Sequence, residues 1–188
     1  MTPEPETHRF QGRGARIVGS HVVRDHVLLG AAAALLLSRF APVRDCVLFW
    51  LATVLVDVDH YFNLLFWSRF RCFSLPKLIR FYGFIVENKK KYPSFLAIES
   101  FHTAEFLGIL AFAAYGLNVH FLKPVLWGIA FHVFVDFFHL MRVGALKARR
   151  NSFIEFFLLR SALMKQGLDP TRVQRDAAAH VMGARAHS

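Results

Sequence analysis

Only two cysteines, Cys46 and Cys72, occur in the 188 residues. One lies beside and the other beyond an apolar segment, which leaves no basis for a disulfide framework or a CxxC metal site. No nucleotide-binding Gly-rich loop, internal repeat or low-complexity tract is present. The opening stretch MTPEPETHRFQGRGAR has neither the short apolar core nor the small-residue cleavage site of a secretory signal, and reads as a retained, mobile tail. Acids are scarce, 13 against 23 Lys and Arg, giving a net charge of +10. Neither a basic helix nor an aromatic-studded strand platform accompanies that charge, so nucleic acid is not an expected partner. Finally, no clean run of about 20 apolar residues, the usual requirement for a membrane span, is found.

What the chain does have is grease. Hydrophobic residues make up 55% and Phe alone supplies 21 positions, which for one domain's length argues for burial in something larger than its own core. Four apolar segments stand out, at 26–40, 46–67, 102–122 and 124–141, each interrupted near one end by acids or histidines. They are apolar nearly all round, whereas soluble bundle helices keep a polar face. The expected fold is therefore all-α, a polytopic bundle of about four transmembrane helices spanning 26–141. Residues 1–25 form a flexible tail, and 142–188 an amphipathic helix and a frayed tail. A second amphipathic helix around 76–87 is expected at the interface, within the basic connection 68–101.

The charge comes in blocks. Four basic residues precede residue 25, seven lie between Arg69 and Lys91 and nine follow from Arg142, while the loops around 41–45 and 119–123 hold only Arg44 and Lys123. Basic residues favour the cytoplasmic side, so both termini and the 68–101 connection belong there, in a multi-pass protein of the inner membrane.

This orientation brings the ionisable residues to one depth. His26 opens the first helix at its cytoplasmic end, Asp57, Asp59 and His60 fall in the returning half of the second, His102 and Glu105 open the third, and His132, Asp136 and His139 occupy the returning half of the fourth. Two helices run outward and two inward, so chain order alone does not produce this clustering. Within FHVFVDFFHL, His132, Asp136 and His139 fall within roughly 60° of one another on a helix. Asp57 with His60, and His102 with Glu105, share faces by their spacing of three. Asp59 is offset from Asp57 by about 200° and needs a helix break or a separate partner. His120 lies at the outer end, away from the rest.

Ionisable groups inside a membrane are costly and are normally paired inside the bundle. A divalent ion supplies such pairing, and neutral imidazoles with carboxylates suit zinc, manganese or iron. The set His26, Asp57, Asp59, His60, His102, Glu105, His132, Asp136 and His139 exceeds what one tetrahedral zinc uses. The surplus fits two metals, or one metal with an acid/base carboxylate and supporting partners.

The segments DHVLLGAAAALLL (25–37), LVDVDHYF (55–62), FHTAEFLGIL (101–110) and GIAFHVFVDFFH (128–139) together resemble the YdjM-like membrane-bound metal-dependent hydrolases. The resemblance covers about 25–140 and implies His26, Asp57, Asp59, His60, His102, His132 and Asp136 as ligands. Val56 stands where many members have Pro, and one family His is missing after His102-Thr103, where Glu105 or His139 would substitute. The HxxxD element of His132 and Asp136 is also similar to that of zinc-dependent phospholipases C, which implies phosphoester hydrolysis by analogy.

The expected function is thus metal-assisted hydrolysis of a phosphoester or lipid-like substrate at the cytoplasmic leaflet, with Asp59 or Glu105 handling the proton. Arg142 is an anion contact or a positive-inside anchor. The rival is a non-enzymatic membrane protein with a structural or transport site for a metal or protons, or a scaffold. An open coordination position separates the two, since a structural site is closed.

Overall fold

The computed structural model describes residues 13–88, 91–92, 94–142 and 149–183. The first helix, α1 (Arg13–Leu37), begins well before its apolar half, so residues 13–25 are helical and not the tail that their polarity suggested; 1–12 lie outside the described residues. It packs against α2 (Val43–Leu55), α4 (Leu75–Asn88) and α6 (Leu122–Arg142).

Glycines set how closely these helices approach. A Cβ on Gly30 of α1 would fall 2.3 Å from the Thr53 hydroxyl of α2, and one on Gly128 of α6 would fall 2.3 Å from the Phe49 carbonyl. Each glycine is one turn from a histidine, Gly30 after His26 and Gly128 before His132. Close contact between backbones therefore fixes where those two imidazoles lie.

The expected helix break is at Val56–Asp57, between α2 and α3 (Val58–Trp67). There the chain tightens to bonds three residues apart, Asp59 N–H to Val56 C=O at 3.4 Å and His60 N–H to Asp57 C=O at 3.1 Å. The change of winding shifts the phase of every later side chain.

α3 ends where Arg69 and Phe70 both take positive φ and the Phe70 N–H closes onto the Leu65 carbonyl at 2.7 Å. The chain then returns as α4 (Leu75–Asn88), with Pro76 in its first turn, where a missing N–H is tolerated. α4, the helix expected at the interface, turns Phe81 and Ile85 into a core with Leu64, Cys72 and the face of α8 (Arg172–Met182) made by Val173, Ala177, Ala178 and Val181, and leaves Leu75, Ile79 and Val86 exposed. α8 itself corrects the expectation of a frayed tail: it is a packed helix stopped by Gly183 in the left-handed region, and only 184–188 lie outside the described residues.

Between these lie a two-residue parallel ladder, β1 (Ala97–Ile98) with β2 (Arg149–Arg150), and a single 3-10 turn, Ser100–His102. α5 (Ala104–Ala111) follows, capped by the Thr103 hydroxyl and continued by a π-helical turn to Gly116. α7 (Phe153–Lys165) was expected to be amphipathic. Its apolar side chains lie on several sides instead, Phe156 buried and Ile154, Phe157 and Leu158 exposed.

Among the described residues, helices and that ladder are the regular secondary structure. Among the described residues two stretches, Val43–Trp67 and Leu122–Arg142, are long and apolar enough to cross a membrane; the apolar parts of α1 (His26–Leu37) and of α5 (Ala104–Gly116) are shorter, in the range 10–17 residues. Four full-length spans are therefore not what the helix lengths give. Large apolar side chains point outward from this bundle, among them Leu35, Leu36, Val43, Leu55, Trp127 and Phe134.

Candidate metal centre

The inward faces of α1, the α2–α3 break, the 3-10 turn and α6 meet in a cluster of imidazoles and carboxylates. Asp57 and Asp136 stand at its middle. Around Asp57 Oδ1 lie His132 Nε2 at 3.3 Å, His60 Nε2 at 3.5 Å and His102 Nε2 at 3.8 Å. Around Asp136 Oδ2 lie His132 Nε2 at 3.6 Å and His102 Nε2 at 3.8 Å. The other oxygen of each acid faces His26, whose Nδ1 is 3.6 Å from Asp57 Oδ2 and whose Nε2 is 3.2 Å from Asp136 Oδ1.

Two of the imidazoles are locked from behind. His132 Nδ1 is 2.7 Å from the Thr53 carbonyl, which can only accept, so Nδ1 carries the proton and Nε2 presents a lone pair. The interrupted ladder at the α2–α3 break makes that carbonyl available. His102 Nδ1 is 3.0 Å from Asp59 Oδ2, which fixes His102 in the same tautomer. His102 is 2% and His132 1% exposed, and neither Nε2 has a hydrogen-bond partner. His26 Nδ1 is likewise buried without one.

Buried nitrogens are rarely left this way. Two ligand atoms each about 2.1 Å from a divalent ion, at the tetrahedral angle, lie about 3.4 Å apart. The separations of 3.2–3.8 Å across this cluster match that figure better than they match hydrogen bonds. Three triplets have ligand atoms all within 4.8 Å of one another: His26 with His132 and Asp136, Asp57 with His102 and His132, and Glu99 with His102 and Asp136. The donor set, imidazole plus carboxylate with His102 and His132 held from behind, could hold a metal ion.

The expected residues thus separate into groups. His26, Asp57, His102, His132 and Asp136 are brought together, with His60 beside Asp57. Asp59, expected as a ligand and proton carrier, is placed behind His102, its Oδ2 accepting also from the Phe101 N–H at 3.1 Å. Glu105, expected in both roles, faces elsewhere. Its carboxylate accepts from the Ser152 hydroxyl at 2.5 Å and from the Phe153 and Ile154 N–H groups, tying α5 to the positive end of α7. His139, expected as a ligand, is half-buried on α6 and belongs to none of the three triplets. Glu99 was not foreseen; its Oε1 is 3.6 Å from His60 Nδ1 and its Oε2 3.9 Å from His102 Nδ1. The signal for it was available, since Glu99 precedes His102 by the same three positions that separate Asp57 from His60.

Fold and site define a helical protein with a buried histidine–carboxylate cluster that could hold a metal ion. No protein-family model, curated protein or solved structure matches the chain.

Proposed function

We propose that this chain is a multi-pass membrane protein that hydrolyses a phosphoester or lipid-like substrate at a divalent metal centre in the cytoplasmic half of the bilayer. The observation that carries the reading is the pair His102 and His132, each locked at Nδ1 and each aiming a buried, unpartnered Nε2 at Asp57 and Asp136. The sequence resemblance to membrane-bound metal-dependent hydrolases supports the same reading.

Depth supports the membrane placement. At 1.5 Å per residue, His26 lies about 17 Å from Leu37, Asp57 about 21 Å from Val43 and His132 about 15 Å from Leu122. Against a hydrocarbon core about 30 Å thick, those positions sit at or just past the midplane. The short apolar parts of α1 and α5 then complete a four-pass bundle. Their polar ends carry His26 and His102 into its inner half, and α4 and α8 cover that end in the cytoplasm. The outward-facing apolar side chains meet lipid.

A divalent ion in this setting supplies a water of lowered pKa and a Lewis acid for an ester or phosphoryl oxygen. The protein's part is positional. Thr53 and Asp59 hold two imidazoles in the binding tautomer, and the low-dielectric surround strengthens every charge interaction inside. Asp57, His60 and Glu99 keep side-chain exposures of 21%, 28% and 16%, so substrate enters past them. With Glu105 occupied at α7, Glu99 on this rim is the carboxylate placed to take the proton.

The test is elemental analysis of the detergent-purified protein beside a His132→Ala, Asp136→Ala variant. Equal metal in the two sinks the reading. The rival, a structural or transport site, draws support from the near-complete burial of His102 and His132. A metal-loaded protein inert toward a broad panel of phospho- and carboxyl esters decides for it.

A further inference from the structure

Resting on the membrane placement above and not on the metal, we infer that the turn 68–74, between α3 and α4, is an anchor for anionic phospholipid of the cytoplasmic leaflet. Phe70 and Phe73 enter the acyl boundary, and Arg69 and Arg71 hold lipid phosphates. The two phenylalanines are 64% and 67% exposed, and both arginines are exposed as well. No acid lies between Asp59 and Glu87, a stretch that holds Arg69, Arg71, Lys77 and Arg80. Aromatic rings set among positive charges complement a negatively charged headgroup layer, in which the rings lie at the acyl boundary and guanidinium groups bind phosphate.

The turn presents these side chains from a fixed backbone. Cys72, between the two rings, is 2% exposed and packs into the core that α4 makes with α8. The Phe73 carbonyl accepts from the Tyr61 hydroxyl at 2.7 Å, and the Arg71 N–H donates to the Ser68 carbonyl at 3.2 Å. Arg69 and Phe70 take φ of 54° and 58°, a region that favours glycine or asparagine. Holding Arg and Phe there costs strain, so it is their side chains, and not the shape of the turn, that account for them. Depth agrees. The stretch Val43–Trp67 ends just before the turn and runs about 36 Å at 1.5 Å per residue, a little more than a hydrocarbon core about 30 Å thick. The turn therefore emerges among headgroups. α4 continues the surface, since Leu75, Ile79 and Val86, spaced by four and seven, are exposed on one face while Phe81 and Ile85 turn to the core.

The experiment places a nitroxide at Phe73→Cys in the full-length chain, reconstituted in nanodiscs of phosphatidylcholine with or without phosphatidylglycerol. Electron paramagnetic resonance reads its collisions with oxygen and with a water-soluble nickel chelate. Phe134→Cys, at an exposed position of α6, carries the same label as a reference. Cys46 and Cys72 are buried, and the unsubstituted chain measures any label they take up. At Phe73 oxygen collisions should exceed nickel collisions, and phosphatidylglycerol should shift the label deeper. Arg69→Gln together with Arg71→Gln should abolish that shift. A nickel-accessible label at Phe73 beside a lipid-embedded one at Phe134 overturns the anchor and leaves the membrane placement standing, whereas nickel access at both overturns the placement itself. A label at Phe73 shielded from both reagents means that protein, such as a second copy of the chain, covers the turn. Equal depth in the two lipid mixtures means that charge does not select the lipid. Either result overturns the anchor.

Discussion

Two buried regions lie a few turns apart in this chain and are built on opposite terms. The α4–α8 core is apolar throughout, from Phe81 and Leu64 to Val173 and Ala177, all fully buried. Its borders are laced by hydrogen bonds, Tyr92 to Asp176 at 2.7 Å and Gln174 to the Leu96 carbonyl at 2.9 Å. The candidate centre is polar, buries His26, His102 and His132, and leaves imidazole nitrogens without hydrogen-bond partners. Burying unpaired polar atoms costs folding free energy, on the order of 1–3 kcal/mol each. A region that carries several of them is arranged for a ligand, and the apolar core has to supply the stability that the centre does not. The two should therefore respond differently to substitution.

The largest expected effect falls on the apolar side. Phe81→Ala empties a fully buried position in the α4–α8 core and should destabilise the protein by about 3–5 kcal/mol. Metal per chain in the fraction that stays folded should not change. A thermal melt in detergent with metal analysis of the monodisperse peak measures both, and loss of metal from that peak would mean that the regions are not separable.

Gly128→Val tests the boundary between them. Its Cβ would fall 2.3 Å from the Phe49 carbonyl, a backbone atom that cannot swing aside. The cost should be about 1–3 kcal/mol from overpacking. α6 should be displaced from α2, breaking the His132–Thr53 contact and weakening metal binding at least tenfold. Val at this position with unaltered affinity would show that helix spacing does not set the site.

These two positions also show how far the sequence can be read. The membership of His26, Asp57, His102, His132 and Asp136 was legible because each sits at a polar interruption of an apolar helix, and helical spacing alone places such groups on faces. The break at Val56–Asp57 was legible from the incompatible phases of Asp57 and Asp59. Glu105 was misplaced because its spacing from His102 puts it on the right face of a continuous helix. In fact His102 lies in a 3-10 turn before α5, and the unsatisfied N–H groups of α7, 48 residues away, claim the carboxylate. The fate of α4 and α8 was hidden for a similar reason. An amphipathic helix advertises an apolar face, but nothing in its own sequence says whether lipid or another helix covers it. Helix α8, with its small residues Ala177 and Ala178, is what fits against Phe81.

Asp59→Asn sharpens the contrast from the polar side. Asn keeps the size and can still accept from His102 and from the Phe101 N–H, so folding should be nearly unaffected. It gives up the charge that holds the His102 proton on Nδ1 and strengthens Nε2 as a ligand. Removing such supporting partners typically costs 10–100-fold in metal affinity, and a competitive chelator titration would read it. Unchanged affinity would mean that Asp59 merely fills space.

The smallest effect is expected outside both regions, at the turn that launches α8. Burial raises the Asp169 carboxyl, but the Thr171 N–H at 2.9 Å, the Thr171 hydroxyl at 2.8 Å and the Arg175 guanidinium outweigh it and hold the group below the ordinary carboxylate range. A depressed folded-state value means that the carboxylate stabilises the fold above the unfolded value near 3.9 and that this contribution is lost as pH falls through the folded value. Arg175 is half-exposed, so screening limits the ion pair to at most about 1 kcal/mol. Asp169→Asn should lower the melting temperature slightly at pH 7 and leave it unchanged at a pH below the folded value, where the wild-type carboxyl is itself protonated. An equal loss at both pH values would assign the effect to the hydrogen-bond geometry that Asn disturbs, and not to charge. Because the turn seats α8 on Phe81, the small loss at pH 7 should be reported by the apolar core alone, with the metal content of the centre unmoved.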